Sequence, residues 1–279
     1  MEKRKNIQDY LNKVFLEDIM SLLKKLPDKS VDLVYGDPDY NVGIKYRGKS
    51  YTKSFDEYID WYIELAKEAL RVLKDTGNMF MINYPKQNAY LRVKYLDQAC
   101  YEVLDYSWVY STPIGHSPKK LTTAHRSILH CRKTKNNNFY KDNIAVPYQS
   151  KDKNIAKAIE NGSKGRMPYD WFYFNTVNNV SKEKTVHPCQ IPQKLSEFLI
   201  KSCTMPNDTV LILFGGSGSE IDVCKRIKRN FISAEIDEFY YEMILSRIKT
   251  GIIEDKYKLY NKKQSNLNLN LNQLSLFDW

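Results

Sequence analysis

The chain has 279 residues, with 43 Lys and Arg against 33 Asp and Glu, a formal net charge of +10 and 42 % hydrophobic residues. That length can bury one large α/β core or two modest ones. The charge points to an anionic partner, nucleic acid first and an acidic membrane surface second, against the plainer alternative of a solvated lysine-rich surface. The 21 tyrosines beside so many lysines fit a surface that contacts phosphates and stacks on bases. Cys100, Cys131, Cys189, Cys203 and Cys224 are scattered, with no C-x-x-C pair, and read as reduced, partly buried thiols, not as a disulfide frame or a zinc site.

In chain order, the start "MEKRKNIQDY" is basic and lacks the apolar core of a signal peptide, and no run reaches transmembrane length, so a cytoplasmic protein is expected. "IMSLLKKL" predicts a short helix and "VDLVYG" a buried strand that stops at Asp37-Pro38-Asp39-Tyr40. A plain turn uses such residues, and so does a site that grips a flat, amino-bearing ring with acceptors and a stacking face. The basic loop "NVGIKYRGKSYTK" follows. A helix is predicted over 54–75, with a Ser54–Glu57 capping box, an apolar stripe from Tyr58, Trp61 and Tyr62 to Leu73, and Gly77 past its end. The aromatic stripe reads as core packing ahead of a cofactor surface. "NMFMINY", "YSWVYS" and "SILHCRK" continue the sheet, with the basic loop "HSPKKLTTAHR" between the last two. His116, His125 and His130 read as structural or nucleic-acid-contacting groups ahead of acid–base catalysts.

Residues 134–186 are polar and aperiodic apart from "YDWFYF", and read as an irregular insertion. The α/β alternation then resumes with helix "PQKLSEFLIKSC", strand "TVLILF", turn "GGSGSE", helix "IDVCKRIKR", strand "NFISAEI" and helix "EFYYEMILSRIK". A buried strand, a glycine turn and an immediate helix leave free N–H groups and a positive helix end beside an open pocket. One βα unit later, Glu235 and Asp237 can accept hydrogen bonds from ribose hydroxyls. A nucleoside-containing cofactor follows. G-G-S-G-S lacks the third glycine of the dinucleotide pattern, whereas the F-x-G-x-G reading (Phe214, Gly216, Gly218) suits S-adenosylmethionine.

"GDPDY" before "FGGSGS", with "HPCQIPQKLSEFLI" between them, resembles the amino-group DNA methyltransferases of the permuted β class, whose catalytic tetrapeptide is usually Asp-Pro-Pro-Tyr. The resemblance covers roughly 12–133 and 180–250. It implies a Rossmann-like methyltransferase fold, α/β, with a mostly parallel sheet, helices on both faces and an inserted target-recognition region. The divisions expected are 1–133, the catalytic half; 134–186, target recognition; 187–255, the cofactor-binding half; and 256–279, a flexible tail.

In this family Asp37 and the Pro38 carbonyl would accept the hydrogens of an adenine N6 amine and Tyr40 would stack on the base, with Asp39 standing in place of the second proline. Asp at the first position accompanies adenine more than cytosine. S-adenosylmethionine is implied to lie against Asp18, Ile19, Asp37, His187, Pro188 and Gln190. Its remaining contacts are expected from the turn Phe214, Gly215, Gly216, Ser217, Gly218 and Ser219, and from Glu235 and Ile236. No metal is expected. Double-stranded DNA is the expected substrate, contacted by Lys45, Arg47, Lys49, Lys53, Lys119 and Lys120, and a homodimer is a further expectation. Two further departures, Ile191 where the family often has Lys and Ile212 where it has Asp, leave an inactive DNA-binding relative open beside N6-adenine and N4-cytosine transfer. The terminal Gln273-Leu274-Ser275-Leu276-Phe277 resembles the peptide by which bacterial replication proteins dock into a sliding clamp, with Gln273, Leu274, Leu276 and Phe277 as anchors. The alternating leucines before it would also suit a terminal edge strand.

Overall fold

An eight-stranded sheet carries the chain. The computed structural model describes residues 6–111, 118–150, 152–179, 181 and 183–259. The first half contributes β1 (Lys13–Leu16), α1 (Ile19–Lys25), β2 (Val31–Gly36), the hairpin β3 (Lys45–Tyr46) and β4 (Lys49–Ser50), α2 (Phe55–Val72) and β5 (Leu73–Asn83). Then come α3 (Pro85–Leu91), α4 (Asp97–Ala99), β6 (Glu102–Val109), β7 (His125–Arg132), α5 (Lys153–Glu160) and β8 (Trp171–Tyr173). The closing part is α6 (Gln193–Cys203), β9 (Thr209–Ile212), α7 (Ser219–Arg226), β10 (Asn230–Glu235) and α8 (Glu238–Thr250). The strand order is β1-β10-β9-β2-β5-β7-β6-β8; β1, β10, β9, β2 and β5 are mutually parallel, and β7 runs antiparallel to both β5 and β6. The expected α/β class with a mostly parallel sheet is therefore observed.

Strand periodicity of two explains the two cores. Val34, Met79, Met81, Leu211 and Ile232 turn to the face covered by α1 and α2. Their neighbours Leu33, Tyr35, Phe80, Val210 and Ile212 turn to the face covered by α6 and α7. Because both faces are covered, the central strands read as near-continuous apolar runs. Asp32, inside one such run, is matched by the Lys74 ammonium at 2.8 Å and the Thr209 N–H at 2.9 Å.

The topology selects the site. From β2 the chain passes through α2 to β5 on one side, and from β9 it passes through α7 to β10 on the other. Beyond the carboxyl ends of β2 and β9 a crevice is thus left open, the switch-point position at which open α/β sheets bind ligands.

Three expectations change. The helix from Ser54 ends at Val72, and β5 begins at Leu73 without a loop, so 73–75 belong to the strand. Position 77 has to be glycine because a Cβ there would meet Leu73 Cδ1 at 2.5 Å and the Asp32 carbonyl at 2.8 Å. The insertion is not wholly irregular. Three residues of "YDWFYF" form β8, which pairs parallel with β6 at the sheet edge, where Phe172 packs against Tyr106 and Phe198. Aromatic density at a sheet edge supplied what period-two alternation did not. His116 and the residues from 260 onward, including the clamp-like peptide, lie outside the described residues.

Candidate active site

A cavity of about 320 Å³ opens at the crevice. One wall is the turn after β2. Gly36 allows β2 to end there, because a Cβ would lie 2.6 Å from Met81 Sδ and 3.0 Å from Leu213 Cδ1. Asp37 through Tyr40 all line the cavity. The Tyr40 hydroxyl donates to Asp37 Oδ1 at 2.5 Å, and the Tyr40 carbonyl accepts from Gln87 Nε2 at 2.9 Å. Burial pushes the Asp37 carboxyl up to about 7; the Tyr40 bond and the Arg126 cation oppose this, while Glu220 and Asp39 add to it. Asp37 is therefore a carboxylate close to the protonation boundary at neutral pH. Asp39 Oδ1 caps the Asn41 N–H at 2.8 Å, its carbonyl accepts from Tyr58 at 2.7 Å, and its buried Oδ2 has no hydrogen-bond partner.

The opposite wall is the glycine turn. Gly216 has φ +53°, and the His187 ring lies 3.3 Å from where its Cβ would stand, so both backbone angle and space call for glycine. The Gly216 N–H donates to Glu235 Oε2 at 2.8 Å, and the Asp237 N–H donates to Oε1 at 2.9 Å. These bonds aim the Glu235 carboxylate into the cavity while burial, the larger influence, raises its pKa. Asp237 itself caps α8 through the N–H groups of Phe239 and Tyr240.

The segment 187–192 forms the floor. Burial lowers His187 to about 4, and its Nδ1 meets the Cys189 carbonyl, so the ring is a neutral packing surface at physiological pH. Gln190 Oε1 accepts from the Thr185 N–H at 3.0 Å and from its hydroxyl at 3.1 Å. Although Ile191 is not lysine, a buried ammonium still holds this segment: Lys184 Nζ donates to the carbonyls of His187 at 2.5 Å and Pro188 at 3.0 Å.

Most of the sequence-derived residues converge here. Asp18, Asp37, His187, Gln190, Phe214, Gly215, Gly216, Ser217, Glu235 and Ile236 line the cavity. Four do not. Ile19, the first residue of α1, is buried in the core, Pro188 is exposed, and Gly218 and Ser219 start α7 behind the turn. Tyr58 and Trp61 face the cavity as well as the core, so the stripe on α2 serves both purposes.

Among the basic candidates, Lys45, Lys49, Lys119 and Lys120 are exposed. Lys53 is exposed and also lines the cavity. Arg47 points elsewhere: it meets Asp237 at 3.2 Å and covers the Phe239 ring at 4.5 Å, fastening the β3–β4 hairpin over the cavity mouth. Tyr46 of the same hairpin packs 5.4 Å from the His187 ring.

Two residues escaped the sequence reading. Glu220, 6 % exposed, projects from the first turn of α7 and is held by Ser219 at 3.1 Å and Ser196 at 3.4 Å. It adds an acidic side chain to the cavity lining eight residues after Ile212, in a helix, where a strand-end pattern gives no signal. Arg126, at the start of β7, lies against Tyr40, Tyr84 and Tyr110. His130, buried between Asn78 at 2.8 Å and Tyr106 at 2.9 Å and lowered to about 3, is structural.

The donor set suits an adenosyl sulfonium. It combines a carboxylate for ribose hydroxyls, a glycine cradle that a Cβ would crowd, aromatic walls and several carboxylates for positive charge. Residues 31–246 match the N6_N4_Mtase model, described as DNA methylase. The chain belongs to this family. It is 32 % identical to the type II methyltransferase M.BglII of Bacillus subtilis, over 92 % of this chain and 74 % of that one. It is 29 % identical to the DNA adenine methyltransferase YhdJ of Escherichia coli K12, over 90 % of this chain and 88 % of that one. Its fold matches the PvuII DNA methyltransferase, named cytosine-N4-specific, with a TM-score of 0.62 and 19 % identity over 86 % of this chain and 93 % of that one. It also matches a complex of M1.HpyAVI with SAM, at a TM-score of 0.56 and 21 % identity over 84 % and 98 %. The chain is thus a DNA methyltransferase dependent on S-adenosylmethionine. Among the described residues no group of side chains could hold a metal ion, and no helix is long and apolar enough to cross a membrane.

Proposed function

We propose that this methyltransferase acts on the N6 amine of adenine within a short DNA sequence, as the modifying partner of a restriction system. The observation that carries the base assignment is the Asp37 carboxylate, set beside Tyr40 at the edge of the cofactor cavity. The adenine-specific name of one relative and the type II names of others support the reading.

An adenine inside a duplex is out of reach, so the base has to leave the stack and enter the crevice. Tyr40 offers its ring as a stacking face. Asp37 accepts one N6–H bond and the Pro38 carbonyl the other, which pulls the nitrogen lone pair out of conjugation and aims it at the methyl carbon. The cofactor supplies that methyl as an electrophile on sulfur. Glu235 would hold its ribose hydroxyls, Phe214 and Trp61 its apolar surroundings, and His187 and Gln190 the far wall. A methylated N6 has one proton to lose, and Asp37, raised to about 7, would be placed to receive it.

Modification mapping tests the assignment. The protein is expressed in a methylation-free host beside Asp37→Ala, and modified bases are read across the genome. N6-methyladenine at one recurring motif, absent from the variant, is the expected outcome. N4-methylcytosine there would overturn the base assignment, and an unmodified genome from protein that still binds the cofactor would overturn the activity.

A further inference from the structure

The strands β5, β6 and β7 all end or begin at the edge of the sheet where the site lies. Their terminal residues converge on one cation. Register puts Ser127 opposite Asn83 and Arg126 opposite Trp108, so Arg126 sits between Tyr84, which follows β5, and Tyr110, which follows β6. The guanidinium carbon is 3.9 Å from the Tyr84 ring centre, 5.3 Å from that of Tyr110 and 5.5 Å from that of Tyr40. Its Nη1 donates to the Tyr110 hydroxyl and to the His125 carbonyl, the latter at 3.1 Å. Tyr84 in turn meets Tyr40 edge to face, with centres 5.5 Å apart and planes at 78°. A flat cation on three aromatic rings at a part-buried position is a fixed structure and not a solvated side chain.

We infer that Arg126 is a positioning residue for the transfer: it fixes the Tyr40–Tyr84 ring pair on which the target base would rest, and it keeps a positive charge beside the Asp37 carboxylate. This rests on the proposed reading of Asp37 and Tyr40. The Tyr40 hydroxyl is bonded to Asp37, so a ring that tilts moves the acceptor's partner with it. The charge matters for the same reason. Around Asp37, Tyr40 and Asp39 come from its own turn, Glu220 from α7 and Arg126 from β7, and of these four Arg126 is the cation. Tyr35 from β2, Tyr58 and Tyr62 from α2 and Cys189 from the floor are neutral neighbours that themselves feel the Asp37 charge. Arginine suits the role better than lysine because its plane can lie on rings while its N–H groups bond outward.

The test compares wild type with Arg126→Gln and Arg126→Lys. Cofactor binding by calorimetry confirms that each is folded. Steady-state transfer into plasmid DNA from a methylation-free host gives kcat, KM and their pH dependence. Carbon-13 NMR of the aspartate carboxyls follows the Asp37 titration directly, its signal assigned by loss in Asp37→Asn. For Arg126→Gln the expected result is unchanged cofactor affinity, kcat down roughly a hundredfold and an Asp37 midpoint above that of wild type. Arg126→Lys should keep the wild-type midpoint and recover only part of kcat. Three results would overturn the inference: unchanged kcat in Arg126→Gln, a loss of kcat with no movement of the Asp37 midpoint, or a loss confined to KM for DNA, the mark of a phosphate contact. Wild-type protein inactive on every DNA offered would instead refute the reading of Asp37, and the NMR midpoints would still report on Arg126.

Discussion

At the residue scale the site is a problem of like charges. Asp37 is held near 7 chiefly by burial, so the unliganded site takes a proton just where an acceptor has to be free of one. The sign follows directly. Transfer needs the carboxylate, so kcat/KM should fall as pH drops through about 7. The folded pKa lies above the ordinary value of 3.8, so protonation favours the folded state, and this group's contribution to stability rises as pH falls from about 7 towards 4. Activity and unliganded stability should therefore run in opposite directions over that window, as parallel pH profiles of rate and melting temperature would show. Neighbouring carboxylates set the position of the limb. Glu220 and Asp39 both raise the Asp37 pKa, Glu220 more strongly, so Glu220→Gln and Asp39→Asn should each move the acid limb to lower pH, Glu220→Gln further. Arg126→Gln moves it the other way. If both neutralised carboxylates left the limb in place, the titrating group would not be Asp37.

At the scale of elements, the sequence showed the parts that obey a local rule. The Ser54–Glu57 box, the strand ending at Gly36 and the turn from Phe214 into α7 are each written within about ten residues, and each formed where its pattern stands. Removing the cap should show that locality: Ser54→Ala is expected to cost about 1 kcal/mol in chemical denaturation without altering cofactor affinity. What stayed illegible depends on contacts between distant segments. Glu220 reaches the cavity from a helix, Lys184 holds the 187–192 segment from three residues upstream of it, and Arg126 meets the ends of two other strands. The helix ends at Val72, short of the expected 75, and Gly77 serves close packing inside β5 and not a C-cap. The β3–β4 hairpin shows the same limit. Its charge suggested phosphate contacts for all of its basic residues, yet Arg47 is spent on Asp237 and Phe239. Arg47→Ala should therefore speed cofactor dissociation several-fold and leave the salt dependence of DNA binding unchanged. Lys49→Ala, from the exposed strand of the same hairpin, should spare the cofactor and flatten the salt slope by about 0.9.

At the scale of the molecule, one edge of the sheet gathers most of the residues proposed to act in the transfer. Parallel order from β1 to β5 sends the acidic turn, the glycine turn and Glu235 to the carboxyl edge, and the antiparallel β7 returns Arg126 to it. The exposed Lys120 precedes β7 and so belongs to the same edge, while the hairpin with Lys49 stands over the cavity. A duplex bound across this edge would place a flipped base at Tyr40 while its phosphates meet lysines on either side. Binding should then be strongly salt-dependent, and Lys120→Ala and Lys49→Ala, which lie on different elements, should act additively on the slope at about 0.9 each. The measurement is the affinity for one fixed duplex over a range of salt concentrations. Additive slopes would mean that both lysines meet phosphate in a single docking pose. A double variant no flatter than either single one would mean that the two contacts belong to alternative poses, and the shared edge would lose its standing as the DNA-binding face.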